Sequence, residues 1–543
     1  MRLSMACGST GSIRVWSMLV GVTSITSLFT YATANPPTIS TTSGKLQGVD
    51  QDGVMSFKGI RFGQAPVDEL RWAAPLPFSS SELVNATELG PSCFQQFARP
   101  FSEELFNNPQ NPPVEDEDCL FLNVWAPSGS TQQGELKPVV VWIYGGSLAF
   151  GTGSLPLYDG TSIAKNQDIV IVTFNYRTNV FGFPGSEDLP IEGNNLGFLD
   201  QELVFAWVQQ NIANFGGDPD QVTIMGQSAG GLSVASALIR HPKNPPFRAG
   251  ILFSGSVQDI VPAPSDFASF DELAAGVGCN QTAGAERLSC LKALPGTTIR
   301  AFTNGPGAAL SFRPVYLLLL SPALSSVTLF ADNFNRIRSQ QTARVPIFLG
   351  HTQDDGTVFT IGQTNLTEFL NSNGVPPAVS PALVRSLYPG LDDEQVIAAS
   401  VRDLAAGCPA SLWAAGYVQS GISSVFRYEY GAVFPDLQLF PNAGAWHSSE
   451  LQELFGTFNT STATPNEATL SATFQTIIAN FIKNPNESPA PNWLQYVLPG
   501  SDTQTLAKLA YQGNVELDNV VMPVQSDSVD GPCALWNRFL DFD

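Results

Sequence analysis

The stretch TIMGQSAGG, residues 223–231, places a serine in a setting that can make it a nucleophile. Residues 226–230 fit the pattern G-x-S-x-G, in which a sharp turn between a strand and a helix exposes the serine hydroxyl. Glycine and serine are common, so the bare pattern arises by chance about once in several chains of this length. Ser228 is therefore a candidate that needs support from the residues around it.

A serine hydroxyl is a poor nucleophile and needs a base, normally a histidine that a carboxylate holds in place. The chain contains three histidines, at positions 241, 351 and 447. His241 follows a predicted helix and precedes prolines, which is typical of a surface turn. His351 directly follows a predicted strand, where a partner of the serine could lie, but residues 229–350 offer it no persuasive acid.

His447 fits the chain order serine, acid, histidine that accompanies this serine pattern on one fold. The acid candidates Asp354 and Asp355 lie between Ser228 and His447. We therefore predict that His447 is the base.

Predicted strands and helices alternate around Ser228. Strands are expected at 138–144, 168–176, 220–225, 249–253 and 345–350, and helices at 199–217 and 231–240. This alternation predicts an α/β protein with a large, mostly parallel central sheet and helices on both faces. Ser228 would then lie at the carboxyl end of a strand, where the sites of such sheets are found.

Composition limits the partners of the chain. Its 543 residues are 43% apolar, which is enough for a large core. With 26 basic and 48 acidic residues, the net charge is −22. Such a surface repels nucleic acid and anionic membranes, so we expect no nucleic-acid partner. The oligomeric state stays open.

Residues 1–34 have the features of a secretory signal peptide. Arg2 and Arg14 supply basic charge, residues 15–29 are mostly apolar, and Ala32-Thr33-Ala34 fits a cleavage site. An uncleaved membrane anchor is the alternative, although the apolar part is short for a span. No later segment is long and apolar enough to cross a bilayer, so we expect a secreted protein without stable membrane insertion. Loss of the two arginines leaves a mature chain with a net charge of −24.

Six cysteines follow the predicted cleavage site, and an even number in a secreted chain favours disulfides. They are Cys93, Cys119, Cys279, Cys290, Cys408 and Cys533. No C-x-x-C pair occurs, so no metal site is predicted. Five asparagines head N-x-S/T sequons and are predicted glycosylation sites. They are Asn85, Asn280, Asn365, Asn459 and Asn486.

Two longer motifs carry a resemblance to a known family. FGGDPDQVTIMGQSAG (215–230) and EDCLFLNVWAP (117–127) resemble the two signatures of the type-B carboxylesterase/lipase family, which includes fungal extracellular lipases and cholinesterases. The likeness continues through GIRFG (59–63), WIYGG (142–146) and FSGS (253–256), and covers essentially the mature chain. It implies the α/β-hydrolase fold and one domain, residues 35–543, after the signal peptide 1–34.

The resemblance also implies roles for individual residues. Ser228 would be the nucleophile and His447 the general base and then acid. The family acid, usually glutamate, directly precedes Gly-Thr, which here places Asp355 in that position and leaves Asp354 as the second choice. Ser254 resembles the serine that supports the catalytic residues from behind. The family pattern pairs Cys93 with Cys119 and Cys279 with Cys290, which leaves Cys408 with Cys533.

The predicted oxyanion hole departs from the family pattern. Its backbone N–H donors would be Gly146, Ser147 and Ala229. The family has Gly-Gly-Gly-aromatic where this chain has Gly-Gly-Ser-Leu, at 145–148. A side chain at 147 is costly if φ is positive there. Ser147 could supply a further donor, narrow the acyl pocket, or change nothing.

These features predict a serine esterase that works through an acyl-enzyme, needs no cofactor and prefers neutral apolar esters. An interfacial triacylglycerol lipase and an inactive adhesion-type relative are the alternatives. The loop 94–118 contains four phenylalanines that could form an apolar lip or simply pack, and the apolar run 308–324 could line the acyl pocket or the core. Many members of the family have glutamate at position 227, so Gln227 removes a charge that would attract cationic substrates.

Overall fold

Runs of valine and isoleucine form the buried centre of the sheet. In the computed structural model every residue of the strand Val170–Phe174 is buried, as are the last five residues of Lys137–Ile143. Parallel strands covered on both faces have this composition. The structure describes residues 36–97, 100–107, 111–130, 134–259, 267–305, 310–312, 328–498, 500 and 502–540.

Fourteen strands occur among these residues. They are β1 Thr38–Thr41, β2 Gly44–Gln47, β3 Val49–Gln51, β4 Val54–Arg61, β5 Leu83–Asn85, β6 Phe121–Pro127, β7 Lys137–Ile143, β8 Val170–Phe174, β9 Gly217–Gln227, β10 Ala249–Phe253, β11 Ile347–Thr352, β12 Val425–Tyr430, β13 Leu506–Leu509 and β14 Val521–Val524.

Eleven of the described strands form one sheet in the order β14-β13-β12-β11-β10-β9-β7-β8-β6-β4-β3. The run from β13 through β9 and β7 to β8 is parallel, and antiparallel strands close both edges. The other three, β1, β2 and β5, form a small separate sheet. The predicted α/β class with a mostly parallel sheet is confirmed.

Seventeen α-helices connect and flank the described strands. They are α1 Pro100–Phe106, α2 Thr161–Gln167, α3 Asn179–Gly182, α4 Leu196–Asn211, α5 Ala229–Arg240, α6 Ala268–Gly276, α7 Ala285–Lys292, α8 Gly296–Thr303, α9 Asn333–Arg338, α10 Leu366–Ser372, α11 Pro381–Leu387, α12 Asp393–Arg402, α13 Cys408–Gln419, α14 Leu451–Phe455, α15 Pro465–Lys483, α16 Asp527–Asp530 and α17 Cys533–Trp536. None of these helices is both long and apolar enough to cross a membrane.

The helix predicted at 199–217 differs from α4 at both ends. It begins three residues earlier, at Leu196, and gives way after Asn211 to a 3₁₀ turn, Ile212–Phe215. Gly216 ends that turn with φ +83°, a conformation that favours glycine. Strand β9 therefore starts at Gly217, earlier than the predicted 220.

Three disulfides join the expected cysteine pairs: Cys93–Cys119 and Cys279–Cys290, which the resemblance implies, and Cys408–Cys533, which remained by elimination. The last bond links positions 125 residues apart and attaches α17 to the start of α13. All five sequon asparagines are exposed. The described residues belong to one unit, Pro36–Asp543, and the predicted signal peptide lies outside them.

Candidate active site

Ser228 occupies a sharp turn between β9 and α5. Its backbone has φ 58° and ψ −124°, a strained conformation for a residue with a side chain. Two glycines make the turn possible. A Cβ at Gly230 would lie 1.9 Å from the carbonyl oxygen of Ile143, and a Cβ at Gly226 would lie 2.4 Å from the backbone of Gly230. The G-x-S-x-G sequence thus has the local structure that the pattern predicts.

His447 and Asp355 approach Ser228 from two loops at the same edge of the sheet. Asp355 follows β11, and its carboxylate contacts His447 Nδ1. Both side chains are buried, with 6% exposure for His447 and 2% for Asp355. The backbone N–H of Thr352 also donates to the Asp355 carboxylate, at 3.3 Å. Burial acts to raise the pKa of Asp355, but His447 and Ser254 hold it below its ordinary value.

The neighbouring Asp354 serves the backbone rather than the imidazole ring. Its carboxylate accepts the N–H of Ala445 at 2.9 Å, and its own N–H donates to the Ala445 carbonyl at 3.0 Å. Ala445 lies two residues before His447. Asp354 thus binds the backbone of the loop that carries His447, and Asp355 binds the His447 side chain. Burial raises the pKa of Asp354.

The second ring nitrogen of His447 contacts the residue before the serine. His447 Nε2 lies 3.1 Å from the amide nitrogen of Gln227, and the ring of Phe359 packs edge-on at 4.9 Å between centroids. Ser228 Oγ makes no hydrogen bond to any described residue in this arrangement. Ser228 and His447 nevertheless line the same two cavities, so the hydroxyl and the ring face a shared space.

The predicted oxyanion-hole residues surround the same space. Gly146, Ser147 and Leu148 all have positive φ, at 101°, 57° and 59°. A Cβ at Gly146 would lie 2.3 Å from the Phe150 carbonyl oxygen, so glycine is required there. The N–H groups of Gly146, Ser147 and Ala229 donate to no residue within the described ranges. Three unpaired donors beside a serine hydroxyl can bind an oxyanion that develops there.

Two cavities meet at Ser228. The first, about 340 Å³, runs between the Cys93–Cys119 loop and the His447 loop, and its walls include Phe106, Leu155, Gln227, Leu439 and Trp446. The second, about 460 Å³, lies on the side of Ala229 and Asp355. Its walls include Leu148, Leu232, Val257, Leu329, Arg402 and Ala406.

The two other histidines lie apart from the serine. His241 follows α5 and contacts Glu202 at 2.7 Å, consistent with a partly exposed turn. The expectation that His351 follows its strand is wrong, because β11 continues to Thr352 and pairs His351 with Glu429. His351 is fully buried, and neither ring nitrogen has a partner among the described residues. Burial lowers its pKa.

The family assignment rests on sequence matches along most of the chain. A family model described as the carboxylesterase family matches residues 35–376, more than half of the chain. The para-nitrobenzyl esterase of Bacillus subtilis is 30% identical over 506 residues, covering 89% of this chain and 96% of that protein. The chain belongs to the carboxylesterase family. It is a carboxylic ester hydrolase.

Other carboxylesterase relatives include fungal proteins. Secreted lipase 1 of Botryotinia fuckeliana is 35% identical over 362 residues, 62% of each chain, and the chlorogenic acid esterase of Aspergillus niger is 29% identical over 83% of each chain. A solved PNB esterase structure superimposes with a TM-score of 0.69 and 27% identity, covering 90% of this chain and 97% of that one. This superposition confirms the α/β-hydrolase fold that the resemblance implies.

The roles of two apolar segments, the loop 94–118 and the run 308–324, were left open by the sequence. Leu105 and Phe106 of the Cys93–Cys119 loop line the first cavity, so part of this loop forms its apolar wall. Phe94 is instead buried in a core cluster with Phe312. Residues 313–327, most of the second apolar run, lie outside the described residues.

Sequence reasoning missed a group of buried acids beside the carboxylesterase site. Glu450, Glu453 and Glu467 have no exposed surface, and Glu450 and Glu453 have no hydrogen-bond partner for either carboxylate oxygen among the described residues. Burial, and then the charge of Asp355, raises the pKa of Glu450 to about 8. In the sequence, Glu450 and Glu453 follow His447 and are three residues apart. An exposed helix face has the same spacing of acids, so this pattern does not indicate burial.

No group of histidine, cysteine or acidic side chains that could hold a metal occurs in the part of the carboxylesterase that the structure describes.

Proposed function

We propose that this chain is a secreted serine esterase that cleaves neutral, apolar carboxylic esters through an acyl-enzyme on Ser228. The observation that carries the proposal is the position of His447, whose ring contacts Asp355 through Nδ1 and shares both cavities with Ser228. A histidine whose Nδ1–H donates a hydrogen bond to a carboxylate carries its lone pair on Nε2, the nitrogen that acts as the base.

The reaction follows from these contacts. Ser228 Oγ attacks the ester carbonyl carbon while His447 Nε2 takes the serine proton, and Asp355 stabilises the imidazolium. The N–H groups of Gly146 and Ser147, with that of Ala229, hold the negative oxygen of the tetrahedral intermediate. His447 then protonates the leaving alcohol. Water repeats the sequence on the acyl-enzyme and releases the acid.

The two cavities take the two halves of the ester. The leaving oxygen must lie near His447 Nε2, because that nitrogen returns the proton. Nε2 points to Gln227, which lines the first cavity, whereas Nδ1 points to Asp355, which lines the second. The alcohol group therefore occupies the first cavity and the acyl group the second.

The lining of the first cavity favours a neutral alcohol. Apart from His447, the described residues that line it carry no carboxyl, amino or guanidinium group, and they include five aromatic side chains. Position 227 is an amide, so no carboxylate attracts a cation there. The second cavity has eight aliphatic side chains in its wall, and Asp355 and Arg402 also reach it. Arg402 is paired with Asp403 at 2.7 Å.

Interfacial lipase activity is the second candidate, and one observation favours it. Phe359 and Leu439 line the first cavity and are also 36% and 50% exposed, so the cavity opens beside apolar surface. Initial rates on an emulsified long-chain triacylglycerol and on a soluble short-chain ester separate the two functions. A lipase prefers the emulsion, and an esterase prefers the soluble ester.

Secretion and glycosylation are part of the same proposal. Three disulfides and five exposed sequon asparagines suit an oxidising, extracellular environment. Expression in a eukaryotic host should yield protein in the medium that begins at Asn35 and loses mass on treatment with an N-glycosidase. Retention of residues 1–34 would contradict the predicted cleavage.

Labelling with a serine-directed phosphonate tests the nucleophile. The folded protein should gain one adduct, located on Ser228 by peptide mass mapping, and Ser228→Ala should gain none. Folded protein without an adduct on Ser228 would refute the enzyme mechanism and favour an inactive adhesion-type protein.

A further inference from the structure

In the contact between Gln227 and His447, the donor and the acceptor can be assigned. Because His447 donates its Nδ1 proton to Asp355, the neutral ring has a lone pair, and no proton, on Nε2. Only a donor can approach that lone pair closely. The Gln227 amide therefore donates its N–H to Nε2 across 3.1 Å.

The Gln227 side chain is almost fully buried beside His447. Gln227 ends β9 and is 3% exposed. A Cβ on Gly145 would lie 3.0 Å from the Gln227 amide oxygen, so the amide lies between that glycine and the imidazole ring. The same amide forms part of the wall of the first cavity.

The hydrogen bond conflicts with the first step of the reaction. An sp² ring nitrogen has one lone pair, and His447 Nε2 needs it to accept the Ser228 proton. In the structure that lone pair is taken by Gln227, and Ser228 Oγ has no partner among the described residues. Activation of the serine therefore requires the Gln227 amide to move away from the ring.

We propose that Gln227 is a positioning residue that keeps His447 inactive until the alcohol group of a substrate fills the first cavity. This inference rests on the proposed function and adds a selection step to it. An alcohol group large enough to contact the Gln227 amide displaces it and frees Nε2 for Ser228. A methyl ester leaves most of the cavity empty, so the hydrogen bond persists and opposes proton transfer.

Esters of one acid with two alcohols test this step, because they share the same acyl-enzyme. The methyl and benzyl esters are compared by kcat/KM in the wild type, Gln227→Met and Gln227→Asn. Methionine fills similar space without a donor, and asparagine keeps the amide but is one methylene too short to reach the ring. Loss of one hydrogen bond of ordinary strength should raise kcat/KM for the methyl ester about fivefold relative to the benzyl ester.

Gln504→Met is the control. Gln504 is an exposed glutamine that lines neither cavity, and its side chain makes no hydrogen bond to the described residues. Its replacement should not alter the ratio of the two kcat/KM values. If Gln227 served packing alone, its replacement would lower kcat/KM for both esters by the same factor.

The proposal is overturned if the folded variants at 227 keep the wild-type ratio of kcat/KM for the methyl ester to kcat/KM for the benzyl ester. It is also overturned if they lower kcat/KM for the methyl ester at least as much as for the benzyl ester. If one variant does not fold, the other decides. These outcomes differ from failure of the proposed function, in which the phosphonate leaves Ser228 unlabelled and neither ester is cleaved.

Discussion

Asp354 and Ala445 are joined by two opposed hydrogen bonds, one from the Ala445 N–H to the Asp354 carboxylate at 2.9 Å and one from the Asp354 N–H to the Ala445 carbonyl at 3.0 Å. Asp354 is thereby committed to the backbone of the loop that carries His447. Its neighbour Asp355 contacts the His447 ring.

Asparagine replacements at the two positions should therefore differ greatly. Asp355→Asn removes the acceptor that fixes the tautomer of His447, and we expect kcat/KM to fall about 10⁴-fold. Asp354→Asn keeps a carbonyl oxygen that can accept the Ala445 N–H, so the loss should stay below about tenfold. Steady-state kinetics on one soluble ester measures both. A larger loss at 354 than at 355 would exchange the two roles.

Replacement of the two buried histidines should separate catalysis from packing. His447→Ala removes the proposed base and should abolish turnover, since neither of the other two histidines lines the cavities at Ser228. His351→Gln alters a ring that lies inside β11 and has no hydrogen-bond partner among the described residues, so most of the activity should remain in the folded protein. Near-UV circular dichroism establishes folding before kcat/KM is compared. Loss of turnover in folded His351→Gln would contradict this assignment.

Ser147→Gly should stabilise the protein. Ser147 has φ 57°, which costs a residue with a Cβ about 1 kcal/mol compared with glycine. Ser147 is exposed, so glycine sacrifices little packing, and the backbone N–H remains available to the oxyanion. Denaturant unfolding should show a higher free energy of unfolding.

Leu148→Gly is the matched control for this effect. Leu148 has nearly the same φ, 59°, but its side chain is 3% exposed. Loss of a buried leucine should destabilise the protein by about 2–4 kcal/mol despite the relieved backbone. A free energy of unfolding that does not rise in Ser147→Gly would mean that the positive φ at 147 carries no measurable strain.

Glu450 should make the protein less stable as the pH rises. Its pKa in the folded protein is about 8, above the value of 4.5 for a free carboxyl, so the folded state holds the proton more tightly. The resulting stabilisation is complete below about pH 4.5 and is lost on rising to about pH 8, by an amount on the order of 5 kcal/mol. Glu450→Gln imitates the protonated acid and should reduce the difference in unfolding free energy between about pH 5 and about pH 8.

Glu516→Gln provides the control, because Glu516 is exposed and its side chain makes no hydrogen bond to the described residues. It should retain the full pH dependence of the wild type. An identical pH dependence in Glu450→Gln would show that Glu450 is not protonated in the folded protein.

Gln227→Glu should favour esters of cationic alcohols. A carboxylate at 227 would add a negative charge to a cavity lining that otherwise has no acidic side chain. The ratio of kcat/KM for a choline ester to that for its uncharged 3,3-dimethylbutyl analogue should rise about tenfold, since the two alcohols have nearly the same shape and a close charge pair contributes about 1–2 kcal/mol. An unchanged ratio would place position 227 out of contact with the alcohol.

The sequence was informative where function constrains short segments. The turn at Ser228 needs Gly226 and Gly230 for lack of space, so the motif itself encodes its geometry. The family resemblance favours Asp355 over Asp354 as the acid. In the structure the Asp355 carboxylate contacts the His447 ring, whereas the Asp354 carboxylate accepts the Ala445 N–H.

Long-range side-chain contacts were not predictable in the same way. Gln227 and His447 are 220 residues apart, and nothing local indicates that an amide would take the ring nitrogen. Glu450 directly precedes α14, where a glutamate is usually exposed to solvent, but its side chain is fully buried. His351 was placed one step beyond its strand because strand length depends on the partner β12, whose pairing extends to Tyr430.

Among the described residues, the two cavities share four lining residues, Ser147, Ser228, Phe359 and His447. Under the proposed placement of the ester, every other lining residue would contact one half of it alone. Selectivity for the acid and selectivity for the alcohol are therefore separable traits. Substitutions chosen independently on the two sides should combine with additive free energies, so a small library on each side can be recombined into a grid of new ester specificities.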